Sequence, residues 1–378
     1  MRITSVEPLV VDVGSRNWLF VFVDTDEGVT GVGEGSLPAH PRAVAAAVEE
    51  YREYVVGEDP ARIQHLWQLM YRRPFFRGGA VTLSAMSAIE QALWDIKGKV
   101  AGMPVYELLG GRCHDRVKLY ANGPGGATLD ELAESARSLV ERGFIAMKTC
   151  IDTPVLPVQG DGIFRRAAEH VEALRDAVGD EVEIAWDAHG RLAPAMSIKL
   201  ARALEPYNIW FLEEPALPEN AKALAQVARA TSIPIATGER LFTKWGFREV
   251  LELGAAALLQ PDLSHCGGVL EARAIAAMAE VFYCGFAPHN PLGPVNTIVS
   301  AHVGMASPNF VALELCLYPP DWTRGLLTEP LAFADGYLEL SDRPGSGIEL
   351  DVELCRGHPY SPHKPPILEH PSGAIADW

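Results

Sequence analysis

Asp187, Glu213 and Glu239 are separated by equal steps, 187 to 213 and 213 to 239, of 26 residues each. Each closes a short apolar run at a polar turn: EVEIAWDAHGR, YNIWFLEEP and IPIATGER. One strand, one helix and their loops consume roughly that many residues, so equal steps put the same point of three successive βα units in register. A lone acidic residue at a strand end is ordinarily a solvated loop group, whereas three in register converge on one rim. Hard oxygen ligands gathered from separate strands suit Mg²⁺, which takes carboxylates and keeps positions for water or substrate.

Other ionisable residues close neighbouring apolar runs. Lys148 ends FIAMKTC, His189 follows Asp187, Glu214 follows Glu213, Asp262 ends ALLQPDL, His289 ends YCGFAPH and Glu314 lies in FVALELC. Residues two apart on a strand share a face, so Asp187 and His189 can point into one mouth. On the same logic Glu213 faces inward, and Glu214 is left to a supporting or salt-bridging role. A carboxylate on one imidazole nitrogen fixes the tautomer and raises the basicity of the other, so Asp262 and His289 read as a general base. His189 reads as a flanking acid or as a fourth metal ligand, and His265 reads as structural. A cation on three carboxylates with two flanking histidines fits proton abstraction beside a carboxylate, where the metal stabilises the enediolate as it forms.

These positions require a particular scaffold. Residues 1 to about 35 alternate as an antiparallel meander, and apolar residues then recur at helical spacing from Arg42 to Tyr54, Asp59 to Arg72 and Thr82 to Ala101. The first hundred or so residues therefore form a separate α+β unit. After Gly110 and Gly111, eight strand candidates alternate with about seven helical stretches, which predicts a parallel barrel with its site at the carboxyl ends of the strands. An eighth helix is not evident, since residues 317 to 350 are rich in Pro, Gly and Asp. From about 335 onward the chain reads as extended structure rejoining the first unit, followed by a tail through Trp378 that wraps the surface.

The 378 residues are 48% hydrophobic and 21% charged, as in a globular protein with a sizeable core. A net charge of −17 argues against nucleic acid or an anionic membrane as partner. It leaves a small anionic substrate open, because a bound divalent cation dominates the local field. The six cysteines include no CxxC pair and read as reduced thiols of a cytoplasmic protein. No apolar run reaches the roughly 18 residues of a membrane span, and the start lacks the pattern of a signal peptide.

The chain resembles the mandelate racemase subgroup of the enolase superfamily, and within it the acid-sugar dehydratases. The resemblance runs nearly end to end, through TDEGVTGVGEG, SAIEQALWDIKGKVAGMPVYELLGG, DAHGR, FLEEP, TGER, QPDLSHCGG, APHNPLGP and the closing ADW. It implies a modified TIM barrel, (β/α)7β, over residues 116–349. Residues 1–115 would form the α+β capping domain, rejoined by 350–378. It further implies that Asp187, Glu213 and Glu239 bind Mg²⁺, that His289 with Asp262 takes the C2 proton of a galactonate-like aldonic acid, and that His189 protonates the departing 3-hydroxyl. Glu314 would hydrogen-bond the carboxylate or enediolate oxygen, and the product is a 2-keto-3-deoxy acid. A homo-oligomer is expected on the same ground.

Racemases of this subgroup carry Lys-x-Lys at the second strand, where this chain has Lys148-Thr149-Cys150. The second lysine is missing, which disfavours inversion at C2. Cys150 and Asn290 also depart from the pattern of galactonate enzymes and bear on which sugar is taken. Expected substrate contacts are Lys148, Cys150, Asn290 and, from the capping loop, Arg16, Asn17 and Trp18, with Arg77 and Trp322 as looser candidates. Racemisation, epimerisation or cycloisomerisation through the same enediolate is the alternative chemistry, distinguished by its isomeric product. A non-catalytic sugar-acid binding protein is the third reading, opposed by the complete set of metal and acid-base positions.

Overall fold

A computed structural model describes residues 1–150, 153–317, 320–365 and 367–377; Trp378, the end of the expected tail, lies outside them. The alternating N-terminal runs form β1 (Ile3–Asp12), β2 (Asn17–Thr25) and β3 (Thr30–Glu34), an antiparallel sheet in that order. Helices α1 (Pro41–Val55), α2 (Ile63–Arg72), α3 (Ala80–Ala101) and α4 (Val105–Leu108) follow. The approach of α3 to β3 explains the glycines of TGVGEG: a Cβ on Gly31 would stand 2.1 Å from Ala92 O, and one on Gly33 1.9 Å from Ala88 O. Only glycine admits backbone contact that close.

The second part alternates strand and helix: β4 (Val117–Asn122), α5 (Leu129–Glu141), β5 (Ala146–Thr149), α6 (Gly162–Val178), β6 (Glu183–Asp187), α7 (Pro194–Leu204), β7 (Leu212–Glu213) and α8 (Ala221–Ala228). It continues as β8 (Ile235–Thr237), α9 (Thr243–Glu252), β9 (Leu258–Leu259), α10 (Val269–Val281), β10 (Gly285–Phe286), α11 (Pro294–Met305) and β11 (Leu313–Cys316). Strands β4 to β10 pair in parallel in chain order, and β11 returns to β4 with Leu313 opposite Leu119. Between β10 and β11 the ring is completed by a parallel bridge, Phe286 to Phe310, with Val311 N–H donating to Phe286 O at 2.8 Å. Inside, Ala146, Ala185, Ala236, Ala287 and Ala312 leave room for Tyr120 and Phe211, whose rings meet edge to face at 5.9 Å. Small residues thus let two aromatics plug the barrel, in place of the branched aliphatic layers usual for this architecture.

After β11 a short 3₁₀ turn (Asp321–Gly325) stands where an eighth helix would be. A hairpin follows, β12 (Ala332–Ala334) and β13 (Tyr337–Glu339), and β13 pairs antiparallel with the start of β4. This corrects the expectation that the chain rejoins the first unit from about residue 335. Asp335 and Gly336 both have positive φ, the geometry of a two-residue hairpin turn, and it folds the strand back onto the barrel. The return to the first unit begins later: Val105 N–H donates to Gly345 O, Asp95 accepts from Ser346, and Asn17 exchanges hydrogen bonds with Ser361. Val352–Arg356 is a helix, α12, with Asp351 as its cap, where extended structure is expected from sequence.

His302 on α11 locks the two parts together. Its Nδ1 faces Tyr106 N–H at 3.3 Å, its Nε2 faces Ser346 O at 3.0 Å, and its ring stacks on Tyr106. Burial pushes this histidine down to about 4, so the fold holds it neutral while the unfolded chain protonates near 6.5. Its contribution is full above pH 6.5 and is lost as pH falls toward 4, on the order of 2 kcal/mol by pH 4.5. His302→Gln should therefore be less stable than wild type at pH 7, with the gap in unfolding midpoint narrowing at pH 4.5. A gap that stays constant or widens contradicts this.

Candidate active site

A cavity of about 730 Å³ opens at the carboxyl ends of the strands, and Arg16, Lys148, Cys150, Asp187, His189, Glu239, His265 and His289 are among its lining residues. Its floor is a buried charge cluster. Lys148 Nζ lies 2.6 Å from Glu213 Oε1, 2.9 Å from Glu314 Oε1 and 3.5 Å from Asp187 Oδ2. The second oxygen of Glu213 accepts from Gln260 Nε2 at 2.7 Å, and Glu314 accepts from Asn122 Nδ2 and from the backbone N–H of Asn290. Glu213 and Glu314 lie at the base of this cluster, and Asp187, His189 and Glu239 bring one ligand atom each to within 4.8 Å of one another.

Sharp backbone turns place these groups. His189 and Glu214 follow the ends of β6 and β7 in the left-handed region, at φ 54° and 43°, a conformation that non-glycine residues hold where the surroundings impose it. Asp187 Oδ1 accepts from His189 N–H at 2.8 Å, and His189 Nε2 stands 3.4 Å from Asp187 Oδ2. Arg191 lies 2.8 Å from His189 Nδ1. Glu214 turns away from the cavity and is held by Arg240, Thr237 and Gly238 N–H.

His289 Nδ1 lies 2.8 Å from Asp262 Oδ2, and its Nε2 approaches Glu239 Oε2 at 3.1 Å. That Glu239 oxygen is buried and accepts no hydrogen bond. Burial works against the imidazolium, but Glu239, Glu314 and Asp262 outweigh it and push His289 up to about 10. Burial also pushes Glu213 well above the carboxylate range and Glu239 in the same direction, each reinforced by neighbouring carboxylates. Asp187 and Glu314 move the other way, since Lys148 overcomes the effect of their burial. Four crowded carboxylates, one with a buried oxygen that accepts no hydrogen bond, are a donor set that fits a divalent cation.

The turn carrying His289 is anchored from the first part of the chain. Glu34, at the end of β3, accepts from Gly293 N–H at 2.7 Å and Asn296 N–H at 2.9 Å, the start of α11. Asn296 Nδ2 then reaches Asn290 Oδ1 at 3.0 Å and Asp262 Oδ1 at 3.3 Å.

Some expected substrate contacts lie elsewhere. Asn290 is fully buried beneath the His289 turn, spending its amide on Thr297 and Glu314 O, so it cannot meet a ligand in the cavity. Trp18 is buried in the first part against Phe20, in a stretch of β2 that is covered on both faces. Asn17 is committed to Ser361, Arg77 lies exposed over Tyr71, and Trp322 stacks on His358. Arg16 does reach the rim, donating to Pro291 O at 3.1 Å. Sequence reasoning missed Asn122, Gln260, Arg191, and His170, which meets Thr149 Oγ1 at 2.8 Å. Gln260 sits two residues before Asp262, so strand alternation alone could have found it.

A cap packed on an eight-stranded barrel, with carboxylates at successive strand ends, defines the enolase type of protein. Residues 2–110 match the family Mandelate racemase / muconate lactonizing enzyme, N-terminal domain, and residues 131–354 match Enolase C-terminal domain-like. The chain belongs to the mandelate racemase and muconate lactonizing enzyme family of the enolase superfamily, whose members bind a divalent metal. It is 40% identical to D-galactonate dehydratase of Variovorax paradoxus (strain S110) over 100% of both chains. It is also 40% identical to that of Cronobacter sakazakii (strain ATCC BAA-894) over 96% of both. Among solved structures, a mandelate racemase/muconate lactonizing enzyme-like protein from Roseovarius sp. TM1035 superposes with a TM-score of 0.90 at 35% identity, covering 96% of this chain and 97% of that one. An enolase from Agrobacterium radiobacter, solved with Na and L-malate bound, gives 0.91 at 33% identity over 100% of both.

Removing Lys148 should expose the charge imbalance. Breaking a buried ion pair costs about 3–5 kcal/mol. Lys148→Met should therefore unfold at a markedly lower temperature in chelator, and millimolar Mg²⁺ should raise its midpoint more than that of wild type. An equal rise in both proteins would mean that the lysine and the cation answer to different charges.

Proposed function

We propose that the protein is a Mg²⁺-dependent acid-sugar dehydratase, a hydro-lyase acting on an aldonic acid of the D-galactonate type. The observation that carries this is topological: His189 and His289 close the third and seventh strands of an eight-stranded ring, on opposite sides, with Asp187 and Glu239 in the same cavity. The D-galactonate dehydratases matched over the full chain support the substrate, and the L-malate bound to the Agrobacterium relative is likewise a 2-hydroxy acid.

Asp187, Glu213 and Glu239 would hold the ion, an all-oxygen set that suits Mg²⁺ and leaves His189 to act as an acid. When bound, Mg²⁺ supplies charge stabilisation at the substrate carboxylate as C2 loses its proton. In its neutral form, which a cation at Glu239 would favour by offsetting the carboxylates that raise its proton affinity, His289, oriented by Asp262, takes that proton on Nε2, and the C2–H electron pair enters the enediolate. The pair then forms the C2–C3 double bond as the C3–O bond breaks, and His189 protonates the leaving oxygen to give water. The enol tautomerises to the 2-keto-3-deoxy acid. Lys148 would stabilise the developing negative charge, with Glu314 holding its ammonium at 2.9 Å. Residues 1–115 with 350–378 form the cap in this reading, and Arg16 reaches from it over the barrel of residues 116–349.

Incubation of D-galactonate and a panel of aldonic acids with enzyme and Mg²⁺ in D₂O should yield a semicarbazide-reactive 2-keto acid. Deuterium entering C2 with no keto acid would overturn the dehydratase reading in favour of an epimerase. His289→Asn should keep Mg²⁺ binding and lose C2 exchange altogether; exchange that persists places the base elsewhere.

A further inference from the structure

His265 is a buried histidine of the β9 to α10 connection that none of the steps above uses. Its side chain lines the cavity while remaining only 6% exposed. Its Nδ1 lies 2.8 Å from Ser84 Oγ on α3, and Ser84 in turn donates to Ala80 O at 2.6 Å. With the serine proton on that carbonyl, the ring must donate through Nδ1, which leaves the Nε2 lone pair as the acceptor. Nε2 makes no hydrogen bond among the described residues; the nearest carboxylate oxygen, Asp262 Oδ2, is 3.9 Å away and already serves His289. The ring lines the cavity, where a ligand hydroxyl can donate to that lone pair.

The place of this acceptor decides what it reads. Lys148, Asp187, Glu239 and His289 line the strand-end floor, where the reacting carbons and the carboxylate belong. His265 is held by α3, and Leu37, Pro38 and Ala80 of the first part line the same cavity. We infer that His265 is a specificity-determining residue that accepts a hydrogen bond from a hydroxyl on the substrate chain beyond C3, with Ser84 as the positioning residue that aims the ring. This rests on the acid-sugar reading above. It selects long polyhydroxy acids over short ones, because only the former carry a hydroxyl to that wall.

Equilibrium affinity separates this role from a structural one. In a His189→Asn background, which removes the acid of the elimination and leaves the His289–Asp262 pair in place, D-galactonate and three-carbon glycerate are titrated calorimetrically with Mg²⁺ present. Adding His265→Leu should weaken D-galactonate by about tenfold, the worth of one buried hydrogen bond, and leave glycerate unchanged. Ser84→Ala should weaken D-galactonate in the same direction by less, and His265→Asn, which keeps an acceptor, should recover part of the loss. Equal weakening of both acids, or of neither, overturns the assignment while leaving the dehydratase reading intact. Failure of D-galactonate to bind with His265 and Ser84 unaltered overturns the substrate reading, and this inference with it.

Discussion

Asp187, Glu213 and Glu314 are buried and Glu239 half-buried close together at the strand ends, and carboxylates so placed cannot all remain charged without compensation. Much of the surrounding architecture answers that constraint. Lys148 spans three of them, Gln260 and Asn122 donate to two, and His289 gathers a proton from the field of Glu239 and Glu314. One oxygen of Glu239 is buried, accepts no hydrogen bond and stands 3.1 Å from His289 Nε2. The same excess of charge that makes the cluster costly makes it a cation site and sets the proton affinity of the base.

Holding that arrangement requires the two parts of the chain to be joined firmly, and the joints are polar. Glu34 binds the start of α11 and Glu90 the start of α10, each accepting backbone N–H groups from the first turn. Those helices follow the strands that carry His289 and Asp262. Carboxylates at helix N-termini satisfy donors that otherwise have no partner. The first part therefore does more than cover the mouth: through Asn296 it reaches the Asp262 side of the base.

The barrel was legible in the sequence because each strand is short, apolar and closed by an ionisable residue, from Lys148 to Glu314. The equal spacing of Asp187, Glu213 and Glu239 located the mouth without any structural knowledge, and the pairing of Asp262 with His289 followed from neighbouring strands. Orientation was harder to read. Trp18 and Asn290 lie beside residues that do face the cavity, yet β2 is covered on both faces at Trp18 and Asn290 is buried under the His289 turn. The β12 to β13 hairpin was signalled by Asp335-Gly336, a two-residue turn that the Pro-rich surroundings obscured. Ser84 and His265, 181 residues apart, meet only through the docking of α3, and no local pattern announces such a contact.

The account turns on whether the excess carboxylate charge is a cation site. Calorimetric titration of Mg²⁺ into the metal-free protein and into Glu239→Gln tests it most directly. One ion should bind per chain of the wild type, and the variant should bind it about tenfold more weakly or worse, since even groups that merely orient a ligand are worth that much. Equal binding by the two proteins would remove Glu239 from the site and contradict the central claim.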